Sequence, residues 1–323
     1  MKKIEYFKLF SHNIPVQGKE KSAIYNLQRS GITFIPNSLY QILQEMDHQS
    51  VDEIRQGLPE DQRNIYESYI DFLLKNDLGF FTEFPAEFPK MPLTWQTPNV
   101  INTAVVEFDF NTETYDLKKL LSQLDEVLCT HIEIRLKVRN VDDIYSFSEL
   151  TKGLVFRSIG LIVEYEDSLQ DELNRIFSLN EKFEFIIVHN SPDINLNTGQ
   201  FKDRINFITE NIYDELYTKN FPEDNYIVNV KYFTESQKHH TYFNKRVCID
   251  WEGNIKNCLM HTKSFGNIKE DKIKTILQES DFTELWNINP DRILDYKDDE
   301  MRYCRFYTEQ IEKVDDYYYK VIN

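Results

Sequence analysis

Lys245-Arg-Val-Cys248-Ile-Asp-Trp-Glu-Gly253-Asn-Ile-Lys-Asn-Cys258-Leu-Met-His261-Thr-Lys-Ser-Phe-Gly266-Asn-Ile268 is the most informative stretch of the chain. Two cysteines flank a glycine in the pattern Cys-x4-Gly-x4-Cys, and a Gly-Asn-Ile turn follows. Asp250-Trp-Glu-Gly253-Asn254 carries the turn chemistry of a hairpin, so the strands bearing Cys248 and Cys258 are expected to run antiparallel. Both thiols then lie near one end of a two-stranded ribbon, within bridging distance of a single metal ion. A helix is expected around Ile273 to Leu285. Beyond it, Asp295-Tyr296-Lys-Asp298-Asp299-Glu-Met-Arg-Tyr-Cys304 supplies a third cysteine.

Moving outward from that hairpin, 323 residues suggest two or three units. Apolar residues make up 41%, and 19 Tyr with 23 Phe supply ample core material. The net charge of −17 sets an acidic surface that repels phosphate backbones, which argues against nucleic-acid binding and suits a basic peptide or protein partner. No segment has the apolar run of a signal peptide or a membrane span, so a cytoplasmic location is expected. In that reducing setting Cys129, Cys248, Cys258 and Cys304 read as metal ligands or buried thiols rather than disulfides.

Residues 1–84 read as a winged-helix unit. Short strands are expected at Ile14-Pro-Val16, Ser22 to Gln28 and Ile32 to Ile35. Ser38-Leu-Tyr-Gln41 and Ser50-Val-Asp-Glu53 read as capping boxes opening two helices. A third helix carries Ile65, Tyr66, Tyr69, Ile70, Leu73 and Leu74 at helical spacing, and Phe80 to Glu83 is a wing strand. Residues 85–100, with Pro85, Pro89 and Pro92, read as a linker.

Residues 101–239 alternate strands and helices. Strands are expected at Asn102–Phe108, His131–Leu136, Ser158–Val163, Phe183–Val188, Arg204–Ile208 and Tyr226–Val230, with helices Tyr115 to Leu128 and Leu169 to Phe177 among them. Such alternation implies right-handed crossovers and a parallel sheet, either an open barrel of about six strands or a doubly wound sheet, with its functional edge at the C-terminal strand ends. The loop after the first strand, Asp109 to Tyr115, contains neither cysteine nor glycine. His189-Asn190-Ser191 is the most polar strand end, and Glu164 with Glu166 forms a second candidate pair. A lone loop histidine is more often hydrogen-bonded than catalytic. No phosphate loop, nucleophile elbow or zinc-protease helix is present.

Taken together, Tyr6-Phe-Lys-Leu-Phe10, Ile14-Pro-Val16, Leu27-Gln-Arg29, Phe34-Ile-Pro-Asn37 and Lys263-Ser-Phe-Gly-Asn-Ile268 after Cys258 resemble the grasp-with-spasm peptide maturases. These are SPASM-domain proteins encoded beside an ATP-grasp ligase in graspetide pathways, and the likeness extends over essentially the whole chain. The resemblance implies an α/β architecture: an N-terminal winged-helix, leader-recognition-like unit, a partial (β/α)6 barrel of radical-SAM type, and a degenerate SPASM-like hairpin domain at 240–323. The wider family carries Cys-x3-Cys-x2-Cys after the first barrel strand. This chain has only Asp109 to Tyr115 there, so no S-adenosylmethionine cofactor or radical chemistry is expected.

The SPASM pattern is incomplete as well. Cys248 and Cys258 match its hairpin and Cys304 one downstream cysteine, while the expected Cys-x2-Cys pair falls near Tyr296 and Asp299, or on Asp295 and Asp298. The alternatives are thiols that hold nothing, a structural zinc completed by His261 or an aspartate, or a single iron–sulfur cluster, and the first is favoured. The resemblance makes the precursor-peptide leader and the ATP-grasp ligase the expected partners. By analogy it places leader binding on Ser22, Ala23, Ile24, Tyr25, Asn26, Leu27 and Gln28, with Tyr66, Tyr69, Ile70 and Leu73 on the adjoining helix. A metal-dependent peptide-modifying enzyme and an unrelated α/β enzyme working near His189 and Glu164 are the competing functions.

Overall fold

The computed structural model describes residues 4–169, 172–196, 199–214 and 226–322. The chain forms two units, and these do not follow the blocks expected from composition. Residues 1–96, 224–241 and 288–323 make one unit; residues 97–223 and 242–287 make the other. The expected SPASM-like block is therefore divided, its last part returning to the N-terminal unit.

In the first unit, β1 (Tyr6–Leu9) precedes β2 (Asn13–Gln17), β3 (Ser22–Asn26) and β4 (Gly31–Ile35). Helices α1 (Asn37–Glu45), α2 (Val51–Gly57) and α3 (Glu60–Lys75) follow, and β5 (Gly79–Thr82) closes the segment. β2, β3 and β4 form an antiparallel sheet, whereas β5 pairs with β1 in a separate ribbon rather than as a wing on that sheet. One sheet face buries Ile24 and Ile35 against Leu39, Leu43, Tyr66, Ile70 and Leu73. The other buries Val16, Ala23, Tyr25 and Leu27 against Phe233, Met301, Tyr303 and Cys304.

Ser50 and Glu53 form the expected capping box. Ser38 does not cap: α1 starts two residues earlier than a Ser38 cap would have it, with Pro36 at the N-cap, and the Ser38 hydroxyl lies 2.7 Å from the Tyr69 hydroxyl instead. Pro36 in its fixed extended conformation sets that helix start. Tyr226 to Val230 is not a strand. Tyr226 makes a single bridge to Arg305, and Asn229 caps a short helix, Val230–Ser236, by accepting from the Tyr232 amide at 2.8 Å.

The second unit is built on β6 (Thr103–Asp109), α4 (Leu117–Glu126), β7 (His131–Lys137), α5 (Val141–Thr151), β8 (Ser158–Glu164), α6 (Leu173–Leu179), β9 (Phe183–His189), β10 (Ile205–Phe207), β11 (Arg246–Ile249) and β12 (Ile255–Lys256). The helix expected from Leu169 begins at Leu173, and residues 170–171 of that expectation lie outside the described residues. In place of the helix expected from Ile273 to Leu285, there are two single turns, Ile273–Ile276 and Ser280–Thr283.

The sheet order is β10-β9-β8-β7-β6-β11-β12, parallel throughout except for the β11–β12 hairpin. β6 to β10 advance in one direction, so right-handed crossovers set α4, α5 and α6 on one face; a doubly wound sheet would reverse direction. Ala104, Val106, Phe108, Ile134, Leu161 and Val188 face those helices in one apolar core. The alternate positions, with Glu107, Glu133, Arg135 and Cys248, face the other way. Gly160 belongs to that second face and is needed there, because a Cβ would meet the Phe185 ring at 2.2 Å.

Candidate functional site

The Cys248 and Cys258 ribbon is antiparallel as expected, with Cys248 opposite Lys256. Its turn is organised by one carboxylate. Asp250 Oδ1 accepts from the amides of Glu252 at 3.1 Å and Asn254 at 2.9 Å, while Oδ2 takes Lys256 Nζ at 2.8 Å. Gly253 adopts a φ of +87°. The Gly266-Asn267-Ile268 turn then folds onto the hairpin: the Ile268 amide donates to Gly253 O at 2.8 Å, and Asn267 Nδ2 donates to Glu252 O at 3.0 Å. Gly253 and the Gly266-Asn267-Ile268 turn of the motif are thus used to shape and close the hairpin.

The thiols are turned inward. Cys248 is buried and its Sγ donates to Asn257 O at 3.4 Å. Burial, with Cys258 nearby, pushes the Cys248 thiol well up. Cys258 packs in the apolar core, 3.9 Å from the Tyr242 hydroxyl. Cys304 belongs to the first unit, donates to Met301 O at 3.1 Å, and is pushed up to about 12 by burial. His261 is buried against Phe243, and burial holds its imidazole below the ordinary range.

Residues 241–306 match the SPASM domain, an iron–sulfur cluster-binding domain. No curated protein matches the chain. Among solved structures, Streptococcus suis SuiB bound to S-adenosylmethionine shares 12% identity over 86% of this chain and 89% of that one, with a TM-score of 0.26, too slight a likeness to argue from.

The SPASM match raises the question of whether the residues present fit a cluster. A [4Fe–4S] centre takes four thiolates and a structural zinc four tetrahedral ligands. Among the described residues, no group of three or more His, Cys, Asp or Glu side chains converges to hold a metal ion. Within the second unit, Cys248, Cys258 and His261 do not form such a group, and these three donors do not by themselves fit either centre.

The peptide-binding expectation also changes in detail. β3 is hydrogen-bonded to β2 on one side and β4 on the other, so its backbone has no edge for strand addition. Ser22, Ala23, Ile24, Tyr25 and Leu27 are buried; Asn26 is half-buried and Gln28 exposed. On α3, Tyr66, Ile70 and Leu73 are core residues and Tyr69 is half-buried. Among the described residues, β4 pairs only with β3, and its Phe34 ring is 49% exposed. A cavity of about 210 Å³ also lies between β1, β2 and α1, lined by Phe7, Phe10, Ile14, Leu43 and Met46, with Phe88 to Met91 along it.

At the C-terminal strand ends the sheet's second face is polar. Glu107 stands opposite Arg135 and Glu164 opposite His189. Arg135 is shared between Glu133 at 3.1 Å and Glu107 at 3.7 Å. Burial pushes the Glu107 carboxyl up to about 7 against the pull of Arg135. The His189 ring is buried, 5.2 Å from that of Tyr213, which lies 5.7 Å from that of Trp251. Burial also holds the His189 imidazole below its ordinary range. Glu164 is exposed and accepts from Asn190 Nδ2 at 2.8 Å; Glu166 is exposed. Sequence reading found His189 and Glu164 but not Glu107, Arg135, Tyr213 or Trp251. The available signal was a charge at the inward position of an otherwise apolar parallel strand.

Proposed function

We propose that the chain is an accessory protein in the making of a ribosomally produced, post-translationally modified peptide of graspetide type. It binds the leader region of the precursor and supports a partner ATP-grasp ligase in the cytoplasm, without cofactor and without radical-SAM chemistry. Its fold is an N-terminal recognition unit of winged-helix type whose last strand pairs with β1 instead of joining the sheet, a partial barrel and a degenerate SPASM hairpin. The observation that carries this reading is the loop after β6. Asp109 there accepts from the Asn111 amide at 2.8 Å and its side chain at 2.9 Å, and no thiol is present where the resembled family ligates its cluster.

The edge of β4, unpaired among the described residues, supports peptide capture, because an extended segment gains main-chain hydrogen bonds there while Phe34 offers an apolar contact. The acidic charge suits a basic leader. Co-purification of the chain with the precursor and the ligase encoded beside it tests the reading. Stable binding of the precursor is expected; binding of neither partner contradicts it.

The match of residues 241–306 to an iron–sulfur domain favours a second reading, a metal-dependent peptide-modifying enzyme working at Cys248, Cys258 and Cys304. Metal content separates the two.

A further inference from the structure

The cavity beside β1, β2 and α1 is lined wholly by residues of the first unit and lies at the β2 edge of its sheet, opposite the β4 edge proposed for peptide capture. Phe7, Phe10 and Phe88 contribute aromatic rings to its wall, and Met46 and Met91 contribute thioethers. Asn13 lines it too and is 3% exposed. Its Nδ2 donates to Leu78 O at 2.7 Å, while its Oδ1 has no hydrogen-bond partner among the described residues. A buried acceptor left unpaired is costly, so a largely apolar cavity that keeps one points to a ligand that brings a donor.

The rest of the lining says which donor. Lys8 and Lys90 both pair with Asp47, the first at 3.4 Å, so each charged group at the cavity already has an opposite partner and a neutral ligand suits it. Phenylalanine rings and methionine sulfur both favour an aromatic ring over an aliphatic chain. A dry cavity of about 150 Å³ takes one benzene. This one, at about 210 Å³, has room for a second fused ring. Indole carries one N–H donor and no acceptor, so a single bond to Asn13 satisfies both partners, whereas a phenol oxygen needs a donor as well.

We propose that this cavity is a binding site for an indole ring, which packs among Phe7, Phe10, Met46 and Met91 and donates its N–H to Asn13 Oδ1. Two sources share that chemistry: a tryptophan side chain on a peptide, and a free indole compound. The site is independent of β4 and stands whether or not a leader binds there.

Calorimetric titration of the full chain with N-acetyltryptophanamide and, separately, with indole tests it, each compared with its N1-methyl analogue, which lacks the donor. Saturable binding of at least one parent compound is expected, and the tighter of the two identifies the source. N1-methylation weakens binding by about tenfold or more, the effect of leaving Asn13 Oδ1 buried and unpaired, and Asn13→Ala abolishes that preference. Should Asn13→Ala fail to fold by near-UV circular dichroism, the exposed Phe88→Ala takes its place and weakens binding by about threefold or more, the loss of one aromatic contact. No saturable binding of either parent up to about 1 mM, an N1-methyl analogue that binds as well as its parent, a preference that persists in folded Asn13→Ala, or unchanged affinity in Phe88→Ala overturns the proposal.

Discussion

Gly253 holds the hairpin turn at a φ of +87°, and a Cβ there would meet Ile268 Cγ2 at 2.9 Å and Tyr115 Cδ1 at 3.2 Å. Gly253→Ala is expected to cost about 1–3 kcal/mol, read as a lower thermal midpoint, since both the backbone region and the space disfavour a side chain. Glu107 gives a prediction with a pH signature. Its folded carboxyl titrates near 7 against an ordinary value of 4.5. Below 4.5 both folded and unfolded chains hold the proton; between 4.5 and 7 the unfolded chain releases it first, so this group's contribution falls as pH rises, then levels off above 7. Glu107→Gln should therefore gain on the wild type across that interval, by about 3 kcal/mol at most, in denaturant melts at pH 4.5 and pH 8. An equal difference at both pH values would contradict the assignment. At this scale the turn at Asp250 to Asn254 was legible because side-chain chemistry and turn type coincide. Glu107 was not, because inward and outward positions of a parallel strand are distinguished only by what packs against them.

At the scale of elements, β2, β3 and β4 were readable from alternation, and the return of β4 against β3 from the turn at Gly31, but the place of β2 was not. Strand order decides which of them has a free edge, and it follows from long-range packing rather than from any local signal. Placing β3 in the middle moves the expected leader contact to β4. Phe34→Ala should weaken leader binding by about tenfold in calorimetry with little change in melting temperature, as for loss of an exposed contact. Tyr25→Ala should instead destabilise the protein by about 3–5 kcal/mol, because Tyr25 is fully buried and its hydroxyl donates to Glu300 O at 2.8 Å. The Ser50 cap was legible since its partner lies three residues away; Ser50→Ala should cost about 1 kcal/mol.

At the scale of the molecule, the sequence order of three blocks is not the order of the units. Residues 288–323 complete the N-terminal unit, where Met301, Tyr303 and Cys304 cover one face of its sheet. Residues 1–84 alone should expose Val16, Ala23, Tyr25 and Leu27 and lose amide-exchange protection in β2 to β4 relative to the full chain. Retained protection in the fragment would contradict that division. The proposed function has the SPASM-matched region held by hydrogen bonds and apolar packing rather than by a metal centre. Its most direct test is the iron, zinc and sulfide content of the full chain purified without oxygen, before and after reconstitution with ferrous iron and sulfide. Metal far below one ion per chain, unchanged in Cys248→Ser, is the predicted result; a stoichiometric zinc or cluster that Cys248→Ser abolishes would contradict it.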